Sequence, residues 1–221
     1  MNIVDRFYEI KSSIPESVRI VAVSKTKPVE MIGDLYSATG HKIFGENKAQ
    51  ELAAKQQILP KNIEWHFIGH LQSNKIKYIA PFIDLIHSVD SFKLLIEINK
   101  EALRCNRIIP CLLQFHIAQE EAKYGFSFDA AKMMLDDEKF KDLTNISVRG
   151  VMGMATLTKY DVQIRSEFIT LNNYFHDLKT MYFAGFSEFN ETSMGMTEDY
   201  LIAIEEGSTL IRVGSGIFGS R

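Results

Sequence analysis

Cysteine is scarce: only Cys105 and Cys111 occur in 221 residues. They form no C-x-x-C pair, which excludes a disulfide framework and the common zinc and dithiol motifs, and leaves two core or half-buried thiols. Long hydrophobic runs are absent. No stretch approaches the ~18 apolar residues that a membrane-spanning helix needs. Residues 1–7 lack a charged stretch leading into an apolar one, so no secretory signal is expected and the reducing cytosol is the expected compartment. No sign of charge dominates. Twenty-five basic and 28 acidic residues give a net charge of −3, which supplies no electrostatic reason to bind nucleic acid or an anionic membrane. Several motifs are also missing. The first strand is not followed by G-x-G-x-x-G, against a dinucleotide fold. There is no G-x-S-x-G elbow and no Ser/His/Asp order. No histidines and carboxylates stand at metal-ligand spacing. No repeat and no Pro/Gly/Ser-rich linker divides the chain, so residues 1–221 read as one domain.

What is present is alternation. Short apolar, β-branched runs fall at 19–24, 42–45, 64–69, 84–89, 111–116, 147–152, 186–191 and 210–213, the seventh being the weakest. Helical patterns fill 46–58, 92–103, 128–140, 168–178 and 198–206. In the fourth of these, Phe168, Leu171, Phe175 and Leu178 recur at the spacing of one helix face. Strands alternating with helices imply βαβ units and a parallel sheet. Eight of them predict an α/β fold of the closed (β/α)₈ barrel type, which at about 250 residues typically fills a chain of this size. A doubly wound open sheet is the alternative.

In such a barrel the chemistry sits where strands end. The first strand runs into Lys25. A lysine leaving an apolar strand can be partly desolvated, which lowers its pKa and frees the amine to attack a carbonyl. After the seventh strand comes Ser193-Met194-Gly195-Met196, and Val213-Gly214-Ser215-Gly216 follows Arg212 at the end of the eighth. Small residues on these two loops let backbone N–H groups approach an anion, and barrels commonly bind phosphate there. A lysine with a phosphate site implies a phosphorylated aldehyde or ketone. Pyridoxal phosphate and a sugar-phosphate aldolase substrate both fit, and the residue chemistry does not separate them. Arg212 is expected near the phosphate. Beside a pyridine nitrogen it would keep that nitrogen unprotonated and weaken the ring as an electron sink. Asn47 reads as a ring contact or a helix cap, and Glu46 as a partner for a lysine at the barrel mouth. His66 and His116 point inward if the strand alternation holds. Gln72–Lys75 reads as the polar start of a helix, and Asp90-Ser91 as a cap before Phe92.

Seven segments then carry a resemblance: Val21-Ala22-Val23-Ser24-Lys25-Thr26-Lys27-Pro28, Phe44-Gly45-Glu46-Asn47, Trp65-His66-Phe67-Ile68-Gly69, Leu71-Gln72-Ser73-Asn74-Lys75, His87-Ser88-Val89-Asp90-Ser91, Ser193-Met194-Gly195-Met196, and Arg212-Val213-Gly214 through Ile217-Phe218-Gly219. In this order the chain resembles the pyridoxal phosphate homeostasis protein family. Three segments depart from it: Gly69-His70 in place of Gly-Pro, His116 in place of an asparagine, and Gly150-Val151-Met152-Gly153-Met154 in place of Gly-Leu-Met-Thr-Met.

The resemblance implies a barrel like the N-terminal domain of alanine racemase and a Schiff base between Lys25 and pyridoxal 5′-phosphate. It implies that Asn47 lies near the ring, that Ser193, Met194, Gly195 and Met196 with Val213 and Gly214 hold the phosphate, and that Arg212 faces the pyridine nitrogen. It also implies a role in cofactor homeostasis without catalysis, with cofactor-requiring apo-enzymes as acceptors. A racemase needs two bases on opposite faces of its substrate. The second domain and partner subunit that complete a racemase site are not expected here. The rival expectation is a weak racemase using Tyr124 or Tyr160, and a lysine aldolase is more distant. A monomer is expected of a closed barrel with no apolar surface stripe.

Overall fold

Strands enclosed on both faces are buried along most of their length, and most residues in the strands of this protein are buried. Arg19–Val23 (β1) is buried at every residue but the first. The strands Ile43–Glu46 (β2), Glu64–Phe67 (β3), Leu85–Val89 (β4), Ile109–Gln114 (β5), Ile146–Met152 (β6), Glu191–Ser193 (β7) and Leu210–Val213 (β8) complete the sheet. The computed structural model describes residues 2–119 and 124–219. All eight strands are parallel and close in chain order, with β1 pairing β8 through Val21 opposite Arg212. This is the expected (β/α)₈ barrel.

Alternation along each strand divides the apolar residues into two sets. Val21, Leu85, Leu112, Met152 and Leu210 cluster inside the barrel, with Ile43 and Ile68 against them. Ile20, Ala22, Phe44, Trp65 and Phe67 face outward into the larger core beneath the helices. Between them the helices Ala49–Ile58 (α3), Phe92–Arg104 (α4), Phe128–Asp136 (α5), Glu138–Lys141 (α6), Asp161–Tyr182 (α7) and Tyr200–Glu205 (α8) occupy the expected places. Ser91 caps α4 as expected, accepting from the Leu94 amide.

The structure differs from expectation in several elements. Ile3–Ser12 (α1) and Val29–Thr39 (α2) are helices that the apolar pattern did not single out. The first begins with a capping box between Asn2 and Asp5. The second buries only Ile32 and Leu35, too thin a stripe to stand out. Ser215–Phe218 (α9) is a single turn after β8. Gln72 precedes a 3₁₀ helix, Ser73–Tyr78. The seventh strand lies at Glu191–Ser193 and not at 186–191. Phe189 instead packs in the core, its ring parallel to those of Phe175 and Phe183 at 5.2 and 4.3 Å.

Candidate functional site

The C-terminal ends of the strands surround a cavity of about 730 Å³. Lys25 lines it from the turn after β1, and Asn47 from the turn after β2. Gly69 and His70 follow β3, Met196 and Thr197 follow β7, and Gly214 follows β8, and all of them line the same cavity. Arg212 reaches it from inside the barrel. Five of the nine residues expected at the site therefore meet around one space: Lys25, Asn47, Met196, Arg212 and Gly214.

The other four lie behind the wall. Ser193 is the last residue of β7, fully buried, with its hydroxyl turned into the barrel. Met194 and Val213 are fully buried in the outer core. Gly195 takes φ +90°, and a Cβ there would meet the Ala203 side chain at 2.6 Å. Its carbonyl accepts from the Arg212 amide at 2.9 Å, so it acts on the wall's shape.

Arg212 is 4% exposed. Its Nη1 donates to Ser193 Oγ at 2.6 Å and its Nη2 to the Gly153 carbonyl at 2.9 Å. Burial lowers its pKa to about 10, opposed by the Asp199 carboxylate, so the guanidinium remains charged at neutral pH. Ser193 Oγ also lies 2.9 Å from His87 Nδ1, and His87 Nε2 lies 2.9 Å from His66 Nδ1. A polar seam thus runs through an otherwise apolar barrel and ends on Arg212. Burial pulls His66 down to about 3 and His87 well below its ordinary value, so both rings are neutral. His66 points inward as expected. His116 does not: it is exposed beyond β5, with its amide bonded to the Phe126 carbonyl.

Asn47 does not cap α3, whose N-cap is Lys48 without a side-chain bond. Its Oδ1 is buried and has no partner. A buried acceptor left unpaired costs about 1–3 kcal/mol, and the Asn47 residue itself lines the cavity. After β8 the amides of Gly214 and Gly216 reach Thr197 Oγ1 only at 3.4 Å. Ser215 Oγ is 3.2 Å from the same atom. Such long bonds around one small oxygen leave the donors available to a stronger acceptor, an anion. Thr197 directly follows Met196, and its own hydroxyl was the signal that could have found it.

Two further features were not legible in the sequence. The loop 154–159 forms one side of the cavity and is held by Glu167 of α7, which accepts from the amide and hydroxyl of Thr156 at 2.7 and 2.8 Å. At the mouth, His70 Nδ1 lies 3.2 Å from Asp90 Oδ2, and the Tyr124 ring stacks on His70 at 3.9 Å. Tyr160 is 74% exposed and does not line the cavity, although Lys159 and Asp161 on either side of it do. Glu46 is buried and does have a lysine partner, but it is Lys55 of α3 at 2.7 Å. No cluster of metal-binding side chains occurs among the described residues.

A family model described as the alanine racemase N-terminal domain matches residues 2–221. The chain is 39% identical to the pyridoxal phosphate homeostasis protein of Vibrio alginolyticus, over 94% of this chain and 88% of that one. It is also similar to PipY of Synechococcus elongatus. The PipY structure without PLP has a TM-score of 0.90 at 33% identity, covering 99% of this chain and all of that one. The PipY structure with PLP bound has a TM-score of 0.87 at 32% identity over the same shares.

Proposed function

The chain belongs to the pyridoxal phosphate homeostasis protein family, on the barrel of the alanine racemase N-terminal domain, and from that premise we propose that it binds pyridoxal 5′-phosphate in the cavity at the barrel mouth, covalently at Lys25. It holds the cofactor for intracellular homeostasis and turns over no substrate of its own. One observation carries the reading: an amine, Lys25, and a guanidinium, Arg212, line one cavity from the hydrogen-bonded neighbours β1 and β8.

The residues present suit the group. Gly214, Ser215 and Gly216 with Thr197 supply the donors for a phosphate. Asn47 lines the same cavity from the turn after β2. The cofactor, when bound, supplies an aldehyde carbon to which the Lys25 nitrogen joins as C=N with loss of water. Arg212, set beside the pyridine nitrogen, would disfavour its protonation, which would suit storage better than carbanion chemistry. Ser193 and Gly153 fix the direction of that guanidinium. Ser193, Met194, Gly195 and Val213 act as the framework of the phosphate loops through their backbone. The chain works as one domain and as a monomer in the cytosol, without nucleic acid, and cofactor-requiring apo-enzymes are its acceptors. No helix among the described residues is long and apolar enough to cross a membrane.

A racemase reading has one observation in its favour: Tyr124 and His70, next to Asp90, line the mouth. Exchange of the α-proton of alanine with deuterated water separates the two. The carrier reading expects a cofactor-loaded protein with no exchange above that of free cofactor. Exchange at enzymatic rates, abolished by Lys25→Ala, would overturn it.

A further inference from the structure

The turn that carries Lys25 is held from behind by a buried cluster of charges. Lys55 of α3 is 7% exposed at its side chain, and its ammonium makes three bonds: to Glu46 Oε1 at 2.7 Å, Glu51 Oε1 at 2.8 Å and the Ser24 carbonyl at 2.9 Å. That satisfies all three of its donors. The two carboxylates reach the same turn. Glu46 Oε1 accepts from Ser24 Oγ at 2.6 Å, and Glu51 Oε1 accepts from the Thr26 amide at 2.8 Å. Every one of these side chains thus bonds to a residue flanking Lys25, and none bonds to Lys25 itself.

The backbone there is in an unfavoured state. The Lys27 amide closes a turn on the Ser24 carbonyl at 3.0 Å. Its third residue, Thr26, takes φ +65°. Such a position favours glycine or asparagine, and a β-branched residue adopts it only where its surroundings enforce it. Stability alone does not account for the cluster. A buried ion pair is often no better than an apolar replacement, and here Glu46 Oε2 remains buried without a partner.

We propose that Lys55, Glu46 and Glu51 form a clamp that positions Lys25, fixing Ser24 and Thr26 on either side so that the amine is aimed into the cavity before any ligand arrives. These three are positioning residues. The inference rests on Lys25 being the attachment site, and it adds what makes that lysine competent.

The test uses Lys55→Met, Glu51→Ala and Lys55→Arg. Glu51 is partly exposed, so its variant keeps the test open where loss of Lys55 impairs folding. In the ligand-free protein, hydrogen exchange at the Thr26 amide and trace acetylation of Lys25 report the clamp directly. The Met and Ala variants should exchange Thr26 at least ~10-fold faster and acetylate Lys25 at an altered rate, with core amides unchanged. Covalent capture of pyridoxal phosphate should fall ~10-fold or more, as misplacement of a reacting group by about 1 Å would produce. Binding of pyridoxine 5′-phosphate, which has the ring and phosphate but no aldehyde, should stay within about twofold. Lys55→Arg should recover part of the capture.

Folded variants with wild-type capture and wild-type Thr26 exchange would overturn the clamp. So would equal loss of pyridoxine phosphate binding, which would mean general damage to the cavity. If the wild type itself captures no cofactor, the proposed function fails instead, and the clamp is judged on Thr26 exchange and Lys25 acetylation alone.

Discussion

Arg212 shows at the scale of one residue how the barrel sustains a buried charge. Its guanidinium is desolvated, yet it donates to Ser193 Oγ and the Gly153 carbonyl. Removing Ser193 Oγ takes away one acceptor and breaks the link to His87. Ser193→Ala is therefore expected to lose about 1–3 kcal/mol, seen as a lower urea midpoint with unchanged slope. Lys25 and Arg212 were legible because each adjoins a strand of unmistakable apolar character. Ser193 was not. With the seventh strand expected at 186–191, Ser193 reads as a loop residue. As the end of Glu191–Ser193 it is an inward-facing strand residue. Side chains alternate along a strand, so where a strand ends decides which face each residue takes. The His66–His87 contact joins residues 21 apart in sequence, and no local pattern reports it.

At the scale of the element, β6 depends on a residue with no side chain. Gly150 takes φ +151°, and a Cβ there would lie 1.8 Å from the Glu191 carbonyl oxygen on β7. The register between β5 and β6 shifts just before it, between Cys111 and Leu112. Gly150→Ala must push β6 from β7 and should cost more than about 3 kcal/mol, measured as a large fall in Tm or loss of folded protein. Elements with strong periodicity, such as α4 and the middle of α7, were legible. A three-residue polar strand such as β7 was not, because its Glu-Thr-Ser sequence is held by bonds to β8 rather than by apolar alternation. Thr209, the residue just before β8, accepts at its Oγ1 from the Thr192 amide at 2.9 Å.

Across the whole molecule, three histidines are withdrawn from water: His66 and His87 inside the barrel, and His41, half-buried outside it between Phe7 and Phe44. Burial lowers His41 to about 4, His66 to about 3, and His87 well below 6.5. An unfolded chain binds protons at these rings at higher pH than the folded chain does. The stability they contribute is complete above the unfolded value and is lost as pH falls from about 6.5 towards the folded values, at up to about 1.4 kcal/mol per pH unit for each ring. Glu46, Asp84 and Asp199, raised by burial, act in the opposite sense. Urea unfolding at pH 7 and pH 5 should show a loss in the wild type. His41→Gln, which cannot take that proton, should lose less over the same interval. An equal loss in both chains would contradict neutral burial of His41. The count of eight strands was legible at this scale because closure needs only their number and order. The charged cluster behind Lys25 was not, because it depends on α3 folding back onto the turn after β1.

The most direct measurement of the central claim is a borohydride reduction of the protein mixed with pyridoxal phosphate, followed by peptide mapping, with Lys25→Ala beside it. A pyridoxyl group on the Lys25 peptide, absent from the variant and accompanied by loss of a violet absorption band, is the predicted result. Label spread over surface lysines, or equal labelling in Lys25→Ala, would contradict it.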